Sequence, residues 1–250
     1  MLLLRRRPIA GQTANEFDKD AGDGGPDYAS YSGSLGLSDS KLWSCAFFFK
    51  LKSAATNMTF FGGGDDLLLT RWRVGTQGAT SDKVFFLGHV TPATGVLNYT
   101  TAATFTSTTV WNSILFSVDL SDTGKRHVYV NDAVDSGTWT TYTDSVMSFS
   151  EADRYRVGDN IVVASVPLDA YISHVWDFPG KYIDWSIEAN RRCFVRPDLT
   201  PAPLLIDGSC AASASPTFWF PDGDPTNNRG TGPDLAYTSG AKNLVDGPGA

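Results

Sequence analysis

Between Trp111 and Asp132 the chain reads WNSILFSVDLSDTGKRHVYVND, and this stretch constrains the fold more than any other. Ile114, Phe116, Val118 and Leu120 alternate with Ser113, Ser117 and Asp119. Further on, Val128 and Val130 alternate with His127, Tyr129 and Asn131. Alternation with period two places successive side chains on opposite faces of a strand, and Ser121-Asp122-Thr123-Gly124 supplies turn formers between the two runs. The pattern predicts a β-hairpin in a sheet with one buried face.

Similar segments recur from Tyr28 to Trp176, at Trp43 to Lys52, Lys83 to His89 and Tyr155 to Asp159 among others, separated by Gly, Asp, Asn and Ser. Ten or more short strands of this kind predict an all-β, two-sheet sandwich of jelly-roll type. At 250 residues and 42% hydrophobic the chain can bury one such core as a single domain. One short helix is expected near Asp184 to Phe194, where Ile187, Arg191 and Phe194 recur at helical spacing, capping an end of the sandwich. Residues 1–26 lack sustained periodicity and read as an N-terminal arm. Residues 27–196 form the sandwich, and the Pro- and Gly-rich residues 197–250 read as a loop-rich segment packed on it.

Charge and cysteine content exclude several functions. A net charge of −7 argues against nucleic acid, which needs clustered Lys and Arg. No apolar run approaches a membrane span, and Arg5-Arg6-Arg7 follow rather than precede the short run Met1 to Leu4, unlike an export signal. Cys45, Cys193 and Cys210 are odd in number and widely spaced, which indicates neither a disulfide framework nor a zinc site and suits folding in a reducing cytoplasm.

Catalytic patterns are missing as well. His89, His127 and His174 fall in no metal-binding spacing and read as sheet histidines, and Gly62-Gly63-Gly64-Asp65 reads as a turn because no Lys-Ser/Thr follows it. Glycosidases of sandwich fold need paired carboxylates, yet the chain's three glutamates are Glu16, Glu151 and Glu188, and adjacent aspartates such as Asp65-Asp66 would point to opposite faces. The chain therefore reads as non-enzymatic, with a glycan-cleaving enzyme using an unrecognised Asp pair as the remoter alternative. Candidate ligand contacts are Trp72, Trp139 and Tyr142, aromatic residues among Arg, Thr and Ser that can hold a sugar face, with core packing as the competing reading. No cofactor is expected, with calcium left open. The loop Asp18 to Gly24 fails the EF-hand pattern at Gly22 and Ala29, whereas Asp222 and Asp224, beside Asn227 and Asn228, are the candidate ligands and equally suit a plain turn.

Trp111 to Asp119 followed by His127 to Asp132 resembles strands of laminin-G-like and concanavalin A-like jelly rolls. Tyr155-Arg-Val-Gly158 and Leu168 to Asp177 look like later strands of that fold, with Ala170 where Gly is usual. Trp176-Asp-Phe, Asn190 to Val195, Pro216 to Phe220 and Asn228 to Gly232 are similar to a family of bacteriophage virion proteins carrying this jelly roll. That resemblance implies a virion structural protein, a capsid decoration or tail-fibre subunit made in the host cytoplasm. Its partners would be other virion proteins, host-surface glycan and, as an open option, copies of itself. A purely structural component binding only its neighbours is the alternative. No catalytic or ligand residue carries over.

Overall fold

The computed structural model describes residues 13–17, 27–53, 57–65, 70–77, 82–91, 93–159, 167–202, 216–221, 224–239 and 243–248. Its strands form two antiparallel sheets packed face to face, as expected. Sheet A runs β10 (Ala133–Val134), β9 (Arg126–Val130), β8 (Asn112–Asp119), β3 (Leu42–Leu51), β13 (Ala170–Pro179), β1 (Thr13–Phe17) and β16 (Asn243–Asp246), with β14 (Phe218–Phe220) also paired to β13. Sheet B runs β11 (Thr138–Tyr142), β7 (Thr94–Thr100), β6 (Lys83–Thr91), β5 (Thr70–Gln77), β4 (Met58–Gly64), β12 (Arg154–Val157), β2 (Tyr28–Ser32) and β15 (Ala236–Ser239).

The hairpin is present as β8 and β9, with Ile114 opposite Val130 and Phe116 opposite Val128. Ile114, Phe116, Val118 and Leu120 enter the core between the sheets, where the Phe116 and Phe86 rings stack at 4.0 Å. The second face is not solvated, however: every residue of β8 is buried, Ser113, Ser117 and Asp119 included. The cover comes from the chain after β13. Ile183, Trp185, Phe194 and Val195 pack on Ala46, Phe48, Leu115, Tyr129, Trp176 and Phe178, which makes a second core on the outer face of sheet A. Sequence alternation could not report this, because the covering residues are distant in the chain and the covered face mixes Ser with Leu and Tyr.

The expected helix is α1 (Glu188–Arg191), a single turn lying over that outer face rather than at an end of the sandwich. It stays short because Ile187 occupies the cap position with no side-chain bond to offer, while the Asp184 carboxylate is used on the Ser186 N–H and hydroxyl. Arg191 and Arg192 tie the turn to Asp132 of the β9–β10 connection at 2.8 and 2.6 Å, and the Arg191 guanidinium sits 4.4 Å from the Tyr129 ring centre.

Three further expectations are corrected. Within residues 1–26, Thr13–Phe17 form a strand inside sheet A, with Phe17 fully buried; within residues 197–250, three strands join the sheets. Their partners β13, β16 and β2 are remote in sequence, so short runs gave no local signal. Gly62, Gly63 and Gly64 are not a turn but the end of β4: a Cβ on Gly63 would lie 2.0 Å from the Trp72 ring, so glycine here makes room for an indole. Finally, Cys193 is disulfide-bonded, whereas Cys45 is a buried free thiol.

Candidate functional site

While much of the outer face of sheet A is covered, the outer face of sheet B presents side chains from adjacent strands to solvent. On β6, Val84 and Phe86 point into the core, which leaves Phe85 and Leu87 half-buried on the outer face. Register then sets their neighbours: Arg73 of β5 lies opposite Leu87, Leu87 opposite Asn98 of β7, and Phe85 opposite Thr100. Residues paired in this way share a face. Together with Asn57, Met58, Thr76, Gln77 and Thr140 they line a cavity of about 420 Å³, within the usual size of small-ligand sites.

Gly75 shapes this floor. A Cβ there would stand 2.9 Å from Phe85 Cζ, so glycine lets the phenyl ring lie across β5, with the Arg73 guanidinium 4.8 Å from the ring centre. Burial pushes the pKa of Arg73 below its ordinary value, although a guanidinium remains charged at neutral pH. No Asp or Glu is among the described lining residues. The described lining residues therefore combine an aromatic face, an aliphatic side chain, amides, hydroxyls and the Arg73 cation.

None of the three aromatic residues expected to touch ligand lines this cavity. Trp72 is fully buried, its indole N–H donating to Asp177 at 3.1 Å. Trp139 and Tyr142 are half-buried against the interior core at the edge where the sheets meet, on the opposite side of β11 from Thr140. Trp139 lies 4.3 Å from the Tyr99 ring, Tyr142 donates to the Asp119 carbonyl at 2.6 Å, and Arg126 stacks on both rings. A register shift between Trp139 and Thr141 places both aromatics inward. Sequence could not show a bulge, and it is Thr140 of β11, not the rings, that faces the cavity.

Of the candidate calcium ligands, Asp222 lies outside the described residues, as does the loop Asp18 to Gly24. Asp224 is buried and accepts from the Thr226 N–H at 3.1 Å and hydroxyl at 2.7 Å, which is the work of a turn former. Among the described residues no group of three or more His, Cys, Asp or Glu side chains is placed to hold a metal. His174 is a buried sheet residue whose pKa burial lowers to about 3, so it is neutral at physiological pH.

One carboxylate stands out away from the cavity. Asp177 on β13 is wholly buried between the sheets and accepts from Trp43 Nε1 at 2.7 Å, Trp72 Nε1 at 3.1 Å and the Tyr155 hydroxyl at 3.2 Å. Burial raises its pKa from 3.8 to about 6 against the opposing pull of these donors. With every nearby donor turned on it and no access to solvent, it is a structural group.

No family model matches the chain, and no curated protein sequence matches it. Solved structures do. A Bacteroides ovatus protein provisionally assigned to carbohydrate binding superposes with a TM-score of 0.59 at 12% identity, over 96% of this chain and 61% of its own, so the chain spans less than two thirds of that protein. A heptameric pentraxin from Limulus polyphemus superposes with a TM-score of 0.52 at 10% identity, over 73% of this chain and 82% of its own. Mouse laminin α1 domains LG4-5 give a TM-score of 0.45 at 13% identity, over 71% and 44%. At such identities the first two establish the shared jelly-roll sandwich and nothing about ligand.

Proposed function

We propose that this protein is a non-enzymatic glycan-binding jelly roll whose ligand lies on the outer face of sheet B. The observation that carries the reading is the cavity's make-up: the Phe85 ring and Leu87 offer an apolar floor for a sugar face, Asn98, Thr100, Thr140 and Gln77 surround it with donors and acceptors for hydroxyls, and no Asp or Glu is among the described lining residues. The carbohydrate-binding assignment of the Bacteroides ovatus neighbour supports the same reading. Binding of purified protein to a glycan array, lost on Phe85→Ala or Asn98→Ala with the melting temperature held within a few degrees, is the expected result. Array binding that survives both substitutions counts against this face.

The finer reading is a virion structural protein, a capsid decoration or tail-fibre subunit that displays this domain toward host-surface glycan. The resemblance of Trp176 to Phe178, Asn190 to Val195 and Asn228 to Gly232 to phage virion proteins supports it. So does the Cys193 disulfide, which suits a particle that works outside the reducing cytoplasm. Many copies would convert weak single-site contacts into avidity. Mass spectrometry of purified particles, with antibody labelling to locate the chain, tests this role; absence from the particle rejects it without touching the glycan reading.

A further inference from the structure

Resting on the glycan reading, we propose that the ligand is an acidic sugar, its carboxylate taken by Arg73. Other arginines on this side are either paired with carboxylates or set away from the cavity. Arg71, also on β5, is neutralised by Asp65 at 2.7 Å and Glu151 at 2.5 Å. Arg156 on β12 meets Asp159 at 3.4 Å and stacks on Tyr28 at 4.8 Å. Arg154, half-buried on the same strand, lines no part of the cavity.

Arg73 differs. It is half-buried, its Nε is shut away from solvent and finds no hydrogen-bond partner among the described residues, and among these the charged or aromatic group it touches is the Phe85 ring. The chain holds 27 Asp and Glu against 20 Lys and Arg, yet among the described residues no acid forms an ion pair with this guanidinium or lines the cavity. A partly desolvated cation without a counter-charge is unfavourable in the free protein, and an anion supplied by ligand relieves it.

The chemistry of the anion follows from the donor and its setting. A guanidinium presents parallel N–H groups that match the two oxygens of a planar carboxylate. Here it lies at the rim of an aromatic floor, opposite Leu87 and one strand further from Asn98, so a ring resting on Phe85 with its carboxylate toward β5 directs hydroxyls toward β7 and β11. Uronic and nonulosonic acids have this combination of apolar ring face, hydroxyls and carboxylate; neutral sugars leave Arg73 uncompensated.

The test is an array carrying sialylated, uronate-containing, sulfated and neutral glycans, probed with the wild type, Arg73→Gln and Arg73→Lys. Alongside it, calorimetry compares the best acidic oligosaccharide with its carboxyl-reduced counterpart on the wild type, which needs no variant to fold. Expected are binding confined to carboxylate glycans, a roughly ten- to hundredfold loss on carboxyl reduction or in Arg73→Gln, and a smaller loss in Arg73→Lys, which keeps charge without the fork. Binding of neutral glycans that Arg73→Gln leaves unchanged, or of sulfated glycans alone, overturns the carboxylate assignment while sparing the glycan reading. Failure to bind any glycan overturns both.

Discussion

Asp177 provides a quantitative test of how this core is built. A carboxyl moved from 3.8 to about 6 by burial is easier to ionise in the unfolded chain than in the folded one. Its protonated form therefore favours folding: the benefit is complete below about pH 4, and it is lost as pH rises through about 6. At about 1.4 kcal/mol per pH unit, the change across that window is roughly 3 kcal/mol. The neighbouring titratable groups do not obscure it, because burial and Asp177 itself push the Cys45 thiol and Tyr155 phenol well above their ordinary values, so both stay neutral throughout. Asp177→Asn removes the titration and sets an amide N–H₂ against donors that now point at oxygen, at a pH-independent cost of about 1–3 kcal/mol. Urea unfolding followed by tryptophan fluorescence, from pH 3.5 to 8 on both proteins, isolates the effect as a difference. The wild type's advantage over the variant should shrink by roughly 3 kcal/mol between pH 4 and 7. A difference that is flat or grows with pH would refute the reasoning, since it would mean that Asp177 is not held against ionisation by burial.

Other consequences are simpler to read. Gly63→Ala drives a methyl into the Trp72 ring 2.0 Å away and should destabilise the fold by at least about 1–3 kcal/mol, measured by thermal unfolding. Trp139→Ala should cost roughly 2–3 kcal/mol through lost packing on Tyr99 and Phe116 while leaving glycan affinity unchanged at temperatures where the variant is folded. Asp132→Ala frees Arg191 and Arg192 and should expose the backbone of Glu188–Arg191 to faster hydrogen exchange. Although burial alone would raise the Asp132 pKa, hydrogen bonds from Arg192 and Arg191 lower it overall, so in the wild type this tie persists at neutral pH and is lost as pH falls through that depressed value.

The sandwich was legible because β8 and β9 alternate with period two around a turn and similar short strand-like runs recur between Gly, Asp, Asn and Ser. What sequence could not show were the features made by distant pairing. Thr13–Phe17 gains its place from β13 and β16, and the cover on sheet A comes from residues after β13 whose apolar members fall at irregular spacing. The cavity was hidden for a different reason. Val84-Phe85-Phe86-Leu87 is apolar on both faces, so the run does not say which pair faces the core, and rings expected to be exposed, such as Trp72, were the better-buried ones. Arg73, Phe85, Leu87 and Asn98 become a site only through the registers of three strands.

If the open face of sheet B is the binding surface, amide NMR of the labelled protein titrated with the tightest array glycan will locate it there. Shifts concentrated on Arg73, Phe85, Leu87, Asn98, Thr100 and Thr140, with Glu188–Arg191 on the covered face of sheet A unmoved, are the predicted result. Saturable shifts confined to the Asp119–Lys125 turn or another loop, with those six residues silent, would contradict it.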